Sequence, residues 1–487
     1  ELLFRVIDED TKSAIPYATV QFSESKNGFV ANFDGDFRIP YEYKLQNENI
    51  IISSIGYERM ELALVNMKNK SINIIELKPK IEQLDEVVIK STNREKSGIE
   101  ISPYTIVKTA ISRINKNYPQ NSYSKLGYYR DYQIVNGTYY NLNEAIIESF
   151  DTGFDTDVIM DKGNQSVLYS YKENNNFPRD SLLLLPYDGE KKYISNTNIS
   201  GQGGNELGIL NIHNPIRNYN QLSFSFVYIF KKKFLDNHDL TNIKKVYLND
   251  EVLYEIDFKA KEELTKTSHE AKGKIYISKS DFSIHKFKYA VYEIKIPEPL
   301  FEVNIEYKKK DDIMYLNYIT FNNQFVINSQ FSFDVKNIEY DVEENTFYVS
   351  FNNSLDKSTV DKRDFKFRYK KKKLLVKDFE IINDNTVRVK IAEFTAPKDI
   401  ADSNDMVEFN TKIRNIYDII GRKLYDVPKL KGFQYREFFV QEIFEDKKIN
   451  QDNIVIDKYS PISEAKINNL KSTKSYWLNS PLKNIKK

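Results

Sequence analysis

Alternating apolar and polar positions open the chain. Leu2 to Ile7 alternates, Asp8 to Ser13 is a polar turn, and Pro16 to Phe22 alternates again with Ala18, Val20 and Phe22 on one face. Asn27-Gly28 is a hairpin-type dipeptide, because both residues tolerate positive φ. Asn32 to Gly35 is a further turn, followed by a strand to Ile39. The run Ile50 to Ile55 is stopped by Gly56-Tyr57, and Ser71 to Leu77 reads as a last strand. The spacing predicts about six or seven short strands before Lys90, as in a small β-sandwich. The segment Leu77 to Lys90 closes that module, and residues 91–101 read as a polar linker.

The period then changes. Ser102-Pro103 suits an N-cap and first helical position, and Ile106, Val107, Ala110, Ile111 and Ile114 form an apolar stripe at helical spacing. After Pro119 the pattern predicts a strand, an Asn136-Gly137 turn, a second strand and a short helix over Glu144 to Phe150. Residues 151–220 show no regular period and are expected to form loops with one or two short helices. From Phe224 to about Phe333 strands return as an antiparallel meander, with turns at Asn249-Asp250, Lys279 to Asp281 and Lys310 to Asp312. Residues 333–430 read as a separate sandwich, with Val349, Phe351, Leu355, Val360, Val387, Val389, Ile391, Ile416, Ile419 and Leu424 as its core. Tyr435 to Ile443 reads as a strand that returns the chain to the preceding sheet, which makes that sandwich an insertion. The last forty or so residues look extended and polar, and they hold the only tryptophan, Trp477. The expected fold class is therefore mainly β and multidomain: a sandwich at 1–90, an α+β region with a curved meander at 91–332, a sandwich at 333–430 and a tail at 431–487.

Four ordered segments carry a resemblance: "VIDEDTKSAIPYATVQF", "GFVANFDGDFRI", "IISSIGYERMEL" and "LKPKIEQLDEVVIK". They resemble the carboxypeptidase-D regulatory-like domain of Bacteroidota envelope proteins, a transthyretin-type seven-stranded sandwich. The resemblance implies an accessory domain and does not imply peptidase activity. The stretch "AISRINKNYP…LGYYRDY…YYNLNEAIIESFD" resembles a segment found downstream of that domain in proteins of the same phylum, with no activity attached. The meander resembles the half-barrel of lipoprotein-carrier-like envelope domains. "NTFYVSFNNSLDKSTVDKRDFKF", "FEIINDNTVRVKI" and "FNTKIRNIYDIIGRKL" resemble bacterial Ig-like modules.

Composition narrows the function classes. The 487 residues are too many for one core. The 34 Tyr and 31 Phe favour β structure. With 71 basic and 70 acidic residues, the chain has no global drive towards nucleic acid or an anionic membrane. The absence of Cys removes disulfides and thiolate metal sites. No apolar run reaches the roughly 18 residues of a membrane-spanning helix. The start at Glu1, directly in strand-like sequence, reads as a mature chain after removal of an export signal.

Candidate chemistry is sparse. His213, His238, His269 and His285 lack the spacing of a zinc peptidase, and each reads as a neutral surface or strand histidine. Ser200-Gly-Gln-Gly-Gly204 lacks the Lys and Ser/Thr of a phosphate loop and reads as a flexible loop. Asp8 to Asp10 lacks the pattern of a calcium loop, and the pair Asp34 and Asp36 and the set Asp151, Asp155 and Asp157 are expected to be solvated, with calcium as the alternative for the last set. Lys231 to Lys233, Lys308 to Lys310 and Lys370 to Lys373 read as solvated strand ends, with lipopolysaccharide phosphates or nucleic acid as the alternative partner. The stripes Phe224, Phe226, Tyr228, Phe230 and Tyr254, Ile256, Phe258 read as core, with a lipid-holding concave sheet as the alternative.

No catalytic residue, cofactor or metal is expected. The expected function is non-catalytic binding or scaffolding in an outer-membrane or cell-surface assembly, with a protein partner such as an outer-membrane β-barrel complex and no nucleic acid. A carrier or receptor for a lipid or glycan is one alternative. A hydrolase built from distant carboxylates is the other.

Overall fold

A computed structural model describes residues 1–24, 28–80, 101–188, 191–195, 205–221, 230–265, 268–294, 296–328, 332–392, 394–395, 408–425, 429–469 and 476–482, with the Lys232 side chain left aside. Asn27, the exit motif Leu84 to Lys90, the loop Ser200 to Gly204 and the stripe residues Phe224, Phe226 and Tyr228 lie outside the described residues.

The amino-terminal body has seven strands: β1 Leu2–Asp8, β2 Thr19–Phe22, β3 Gly28–Val30, β4 Asp36–Ile39, β5 Asn49–Ser53, β6 Met60–Ala63 and β7 Ile72–Leu77. They form two facing sheets, β4-β1-β7 and β3-β2-β5-β6. Strict alternation drives this arrangement, since Leu2, Phe4 and Val6 of β1 and Val20 and Phe22 of β2 point into one shared core. Gly35 turns the chain at φ 73°, and a Cβ there would lie 2.5 Å from the Val6 carbonyl oxygen. A short helix, α1 Tyr41–Leu45, leads into β5.

Helix α2, Pro103–Ser112, starts where the sequence predicts. Ser102 accepts from the Thr105 amide, and the apolar stripe is buried through to Ile114 of α3, Ile114–Asn117. The large sheet follows, with β8 Tyr123–Val135, β9 Thr138–Asp151, β10 Ser166–Glu173, β11 Lys192–Tyr193, β12 His238–Leu248, β13 Glu251–Ala260, β14 His269–Ser278, β15 Ile284–Glu293, β16 Pro299–Lys310 and β17 Ile313–Ile327. The third sheet takes β18 Val335–Asp341, β19 Thr346–Phe351, β20 Phe365–Tyr369, β21 Lys372–Asn383, β22 Thr386–Ala392 and β23 Phe409–Ile413. Strand β24, Leu430–Glu445, then pairs with both β17 and β8, so the large sheet runs β10-β9-β8-β24-β17-β16-β15-β14-β13-β12, with β11 beside β17. The sheet curves into a half-barrel. Its concave face is filled by α2, α3, the π-turn Phe230–Phe234 and α4, Glu206–Ile212.

The structure corrects several expectations. Glu144 to Phe150 is not helical; it completes a fourteen-residue strand. Glu144 and Glu148 share a face in a helix and in a strand alike, and burial on both sides of β9 erases the alternation that would tell them apart. Residues 151–220 include the strand β10, which covers the sheet edge beside β9. Phe230, placed in a strand by its period, belongs to the π-turn. Ile419 is 42% exposed, and its neighbour Ile420 is buried instead. Ile420 faces a junction cluster with Val135, Tyr140 and Phe325 of the large sheet, outside the third sheet's own core. The tail contains a helical turn at Ile462–Glu464, and its last described residues pack into the amino-terminal body.

Candidate functional site: a polar docking seam

The outer face of the half-barrel is covered where β8, β9, β24 and β17 meet the amino-terminal sandwich. Alternation along these strands sends Leu126, Tyr128, Ile146, Tyr318 and Phe439 outward, where they meet Tyr17 and Val30. Tyr17 holds a left-handed backbone at φ 61°, which is unusual for an aromatic residue. That conformation aims its ring at Tyr318, with centroids 5.0 Å apart. Burial pushes the Tyr17 hydroxyl well above its usual pKa.

Charge is buried in the same seam. Arg130 and Glu437 stand opposite each other in the β8–β24 ladder, are fully buried and form an ion pair. The Arg130 guanidinium lies over the rings of Tyr132, at 5.2 Å, and Phe439, at 5.5 Å. Glu144 accepts from Tyr128 (2.5 Å), Asn174 (2.6 Å) and Ser480 (2.7 Å). Glu148 accepts from Ser124 (2.5 Å), Lys447 (2.6 Å) and Tyr169 (2.7 Å). Gly127 of β8 permits the close approach of β24, since a Cβ would lie 2.3 Å from the Phe439 carbonyl oxygen. The contact extends to the far end of the sheet, where the Gly56 amide donates to the Tyr247 carbonyl of β12 at 2.8 Å.

The carboxy-terminal segment closes the seam. Trp477 packs against Phe29, Tyr43 and Phe22 of the sandwich, with centroids 5.0, 5.6 and 5.9 Å away. Its indole N–H donates to the Arg38 carbonyl at 3.0 Å. Asn479 accepts from the Arg38 amide (2.9 Å) and donates to the Val30 carbonyl (3.1 Å), so it satisfies backbone groups along β4 and β3. The Arg38 guanidinium in turn donates to the carbonyls of Ser480 and Pro481, at 2.8 and 3.0 Å.

The concave side holds further ionisable groups, each engaged by a neighbour. Asp151 was expected to be solvated, but it is buried at the end of β9 and gripped through both oxygens by Arg217 at 2.9 to 3.2 Å. Burial works against its charge, yet Arg217 and Lys125 outweigh that penalty and hold it at a pKa of about 2. Asp155 meets the Tyr219 hydroxyl and Asp157 caps the Ile159 amide, so the three carboxylates serve separate partners. A pocket of about 40 Å³ lies beside Lys125 and Asp151, room for a water or two. Arg436 pairs with Glu206 and donates to Asn323 at 2.7 Å. Burial, with the Glu206 charge nearby, raises Asp131 to about 7.

His213 stacks on Phe321 at 3.9 Å, and burial lowers its pKa to about 3. His238 bonds the Tyr289 hydroxyl (2.7 Å) and the Phe234 carbonyl (2.8 Å), and burial depresses its pKa. His285 is buried on β15, 3.4 Å from Glu251. His269 sits at the start of β14 beside the Ser268 hydroxyl. Asp36 was expected to be solvated with Asp34; it is buried, and Arg5 donates to both its oxygens at 2.6 and 2.8 Å. Asp34 is exposed. Asp8 is also buried, caps the turn at Thr11 and accepts from the Tyr57 hydroxyl at 2.9 Å. Among the described residues no three His, Asp or Glu side chains converge as metal ligands. Lys309 and Lys310 pair at the surface with Asp281 and Glu445. Ile256 and Phe258 face the filled concave core.

Sequence reasoning did not find Arg130, Glu437 or the seat of Trp477. A lone Trp in a polar tail is the one signal that pointed there.

Residues 5–89 match the model of the CarboxypepD_reg-like domain, so the amino-terminal sandwich belongs to that domain family. No curated protein matches the chain. The crystal structure of a LolA superfamily protein from Nitrosomonas europaea is similar at 11% identity over 46% of this chain and 86% of that one, with a TM-score of 0.20. The MucA/MucB complex of Pseudomonas aeruginosa is similar at 10% identity over 63% of this chain and 99% of that one, with a TM-score of 0.17. At these scores neither likeness bears on function.

Proposed function

We propose that this protein is a non-catalytic binding or scaffolding subunit of a cell-envelope assembly, exported and held at an outer-membrane β-barrel complex. The docking seam carries the reading. A sandwich joined only by residues 81–100 would be free to swing, since small polar interfaces between domains permit motion. Here an aromatic cluster, the Asn317 side chain donating to the Thr19 hydroxyl at 2.9 Å, and the segment Tyr476 to Leu482 fix it to the half-barrel. A body of that kind holds partners on separate faces at a set distance.

The half-barrel's concave side supports binding at the outside of the molecule, because α2, α3, α4 and the π-turn occupy the space a lipid would need. The buried arginines support a structural use of charge: Arg217, Arg130 and Arg436 are neutralised by Asp151, Glu437 and Glu206.

The test is affinity purification of the tagged chain from native membranes after mild cross-linking. Recovery of a stoichiometric barrel or surface partner is the expected result. Recovery of the chain alone refutes the reading.

A further inference from the structure

One face of the third sheet sets like charges opposite each other. Strand β20 lies between β21 and β23. Phe365 and Phe367 of β20 and Leu374 of β21 point into the core, so the residues between them point outward. Those outward residues are cations. Lys366 stands directly opposite Lys412 of β23, and Arg368 directly opposite Lys373 of β21. Like charges facing each other across strands destabilise a sheet. None of the four has an acidic partner among the described residues, and all are exposed.

The large sheet handles charge in the opposite way. On its outer face Lys274 pairs with Glu255 and Asp257, Lys286 with Glu306, and Lys288 with Glu302. The excess on the third sheet is therefore local in a chain whose formal net charge is only +1.

Two of these cations, Lys366 and Lys373, border an open groove of about 660 Å³, walled by the loop Thr359 to Asp364 and by Arg414-Asn415. Lys362, Lys366, Lys373 and Arg414 line it. Its two carboxylates are already used. Asp364 accepts from the Asp361 amide at 3.0 Å, and Asp361 accepts from Arg363 at 2.8 Å. The aromatic rings of β20 face inward, so the groove offers no stacking platform for bases. Side chains about 5 Å apart across strands and about 7 Å apart along them form a two-dimensional array of donors. That array suits a chain carrying a carboxylate or sulfate on each repeat.

We propose that this groove is a binding site for an acidic polysaccharide. The anion repays the cross-strand repulsion, and the groove walls admit a sugar chain.

The test uses the full chain and a heparin oligosaccharide as probe, titrated at low salt by calorimetry. Binding that weakens with added salt is expected. The variant Lys373→Glu with Lys412→Glu places each new carboxylate opposite a cation, so its thermal midpoint is expected to hold or rise while affinity falls about tenfold or more. Lys288→Glu on the large sheet is expected to leave affinity unchanged. Absence of heparin binding overturns the proposal, as does an equal loss with Lys288→Glu. Tighter binding of a single-stranded oligodeoxynucleotide or of phosphatidylglycerol vesicles, sensitive to the same double variant, also overturns it in favour of nucleic acid or a membrane.

Discussion

Removing the Trp477 side chain tests whether the carboxy-terminal segment holds the amino-terminal sandwich. The ring touches three aromatics of the sandwich core within 5.9 Å, and its N–H donates to Arg38. Truncating an aromatic in a full core costs about 3–5 kcal/mol. Trp477 is half-buried, so about 2–3 kcal/mol is the reasonable share, with about 1 kcal/mol more for the lost hydrogen bond. Trp477→Ala therefore weakens docking of the segment by about 3 kcal/mol, a change of about a hundredfold in its opening equilibrium.

The Arg38 amide reports on that equilibrium. It donates to the Asn479 side chain and is freed when the segment lifts. Hydrogen exchange at Arg38 is expected to quicken about a hundredfold in Trp477→Ala, with little change at β1 of the sandwich core. Asn479→Ala provides a second readout that keeps the sole tryptophan. It leaves the Arg38 amide and Val30 carbonyl without their partner, and Trp477 emission is expected to move red with greater acrylamide quenching. Unchanged exchange at Arg38 in a Trp477→Ala protein of native circular dichroism would refute the docking.

Three further outcomes follow from buried positions. Glu437→Leu leaves Arg130 charged and fully buried, and is expected to cost about 3–5 kcal/mol in urea unfolding, with Arg130→Met added to it recovering most of the loss. Gly127→Ala forces a Cβ towards the Phe439 carbonyl oxygen and is expected to cost about 1–3 kcal/mol by the same measurement. Asp131 has a folded pKa of about 7 against an ordinary 3.8, so the folded state binds its proton more tightly than the unfolded state. Stability is then expected to fall as pH rises between those values, by on the order of 2–4 kcal/mol, and urea midpoints of Asp131→Asn should show a shallower slope over that interval.

How much of this was legible in the sequence depended on where each residue's partner lay. The amino-terminal strands read correctly because one face of each is covered and the other is wet, which preserves the alternation. Helix α2 read correctly because its cap, its proline and its stripe lie within one short segment. Strand β9 did not, because both its faces are buried, one by the half-barrel core and one by the seam. Asp151 was misread because its counter-ion comes from Arg217, a separation of 66 residues. Trp477 finds its acceptor at Arg38, 439 residues away. Local patterns carry periodicity and caps, and they are silent on charge pairs made by tertiary approach.

The seam and the junction at Ile420 act together on the geometry of the whole body. The sandwich is held on the outer face of the half-barrel by Tyr17, Val30 and the segment that carries Trp477. The third sheet touches the β8–β9 hairpin through Ile420, and the Tyr140 hydroxyl donates to the Ile419 carbonyl at 2.7 Å. Both attachments therefore bear on the same two strands, β8 and β9. A partner gripping the sandwich and a ligand filling the basic groove would load one continuous ladder, with Tyr128 and Arg130 near its middle and Val135 and Tyr140 at its hairpin end. That hairpin is one route from the seam to the junction, beside β17 and β24. Glu437→Leu, made at the seam, should loosen the Tyr140 contact before it disturbs β12 to β15 at the other end of the sheet.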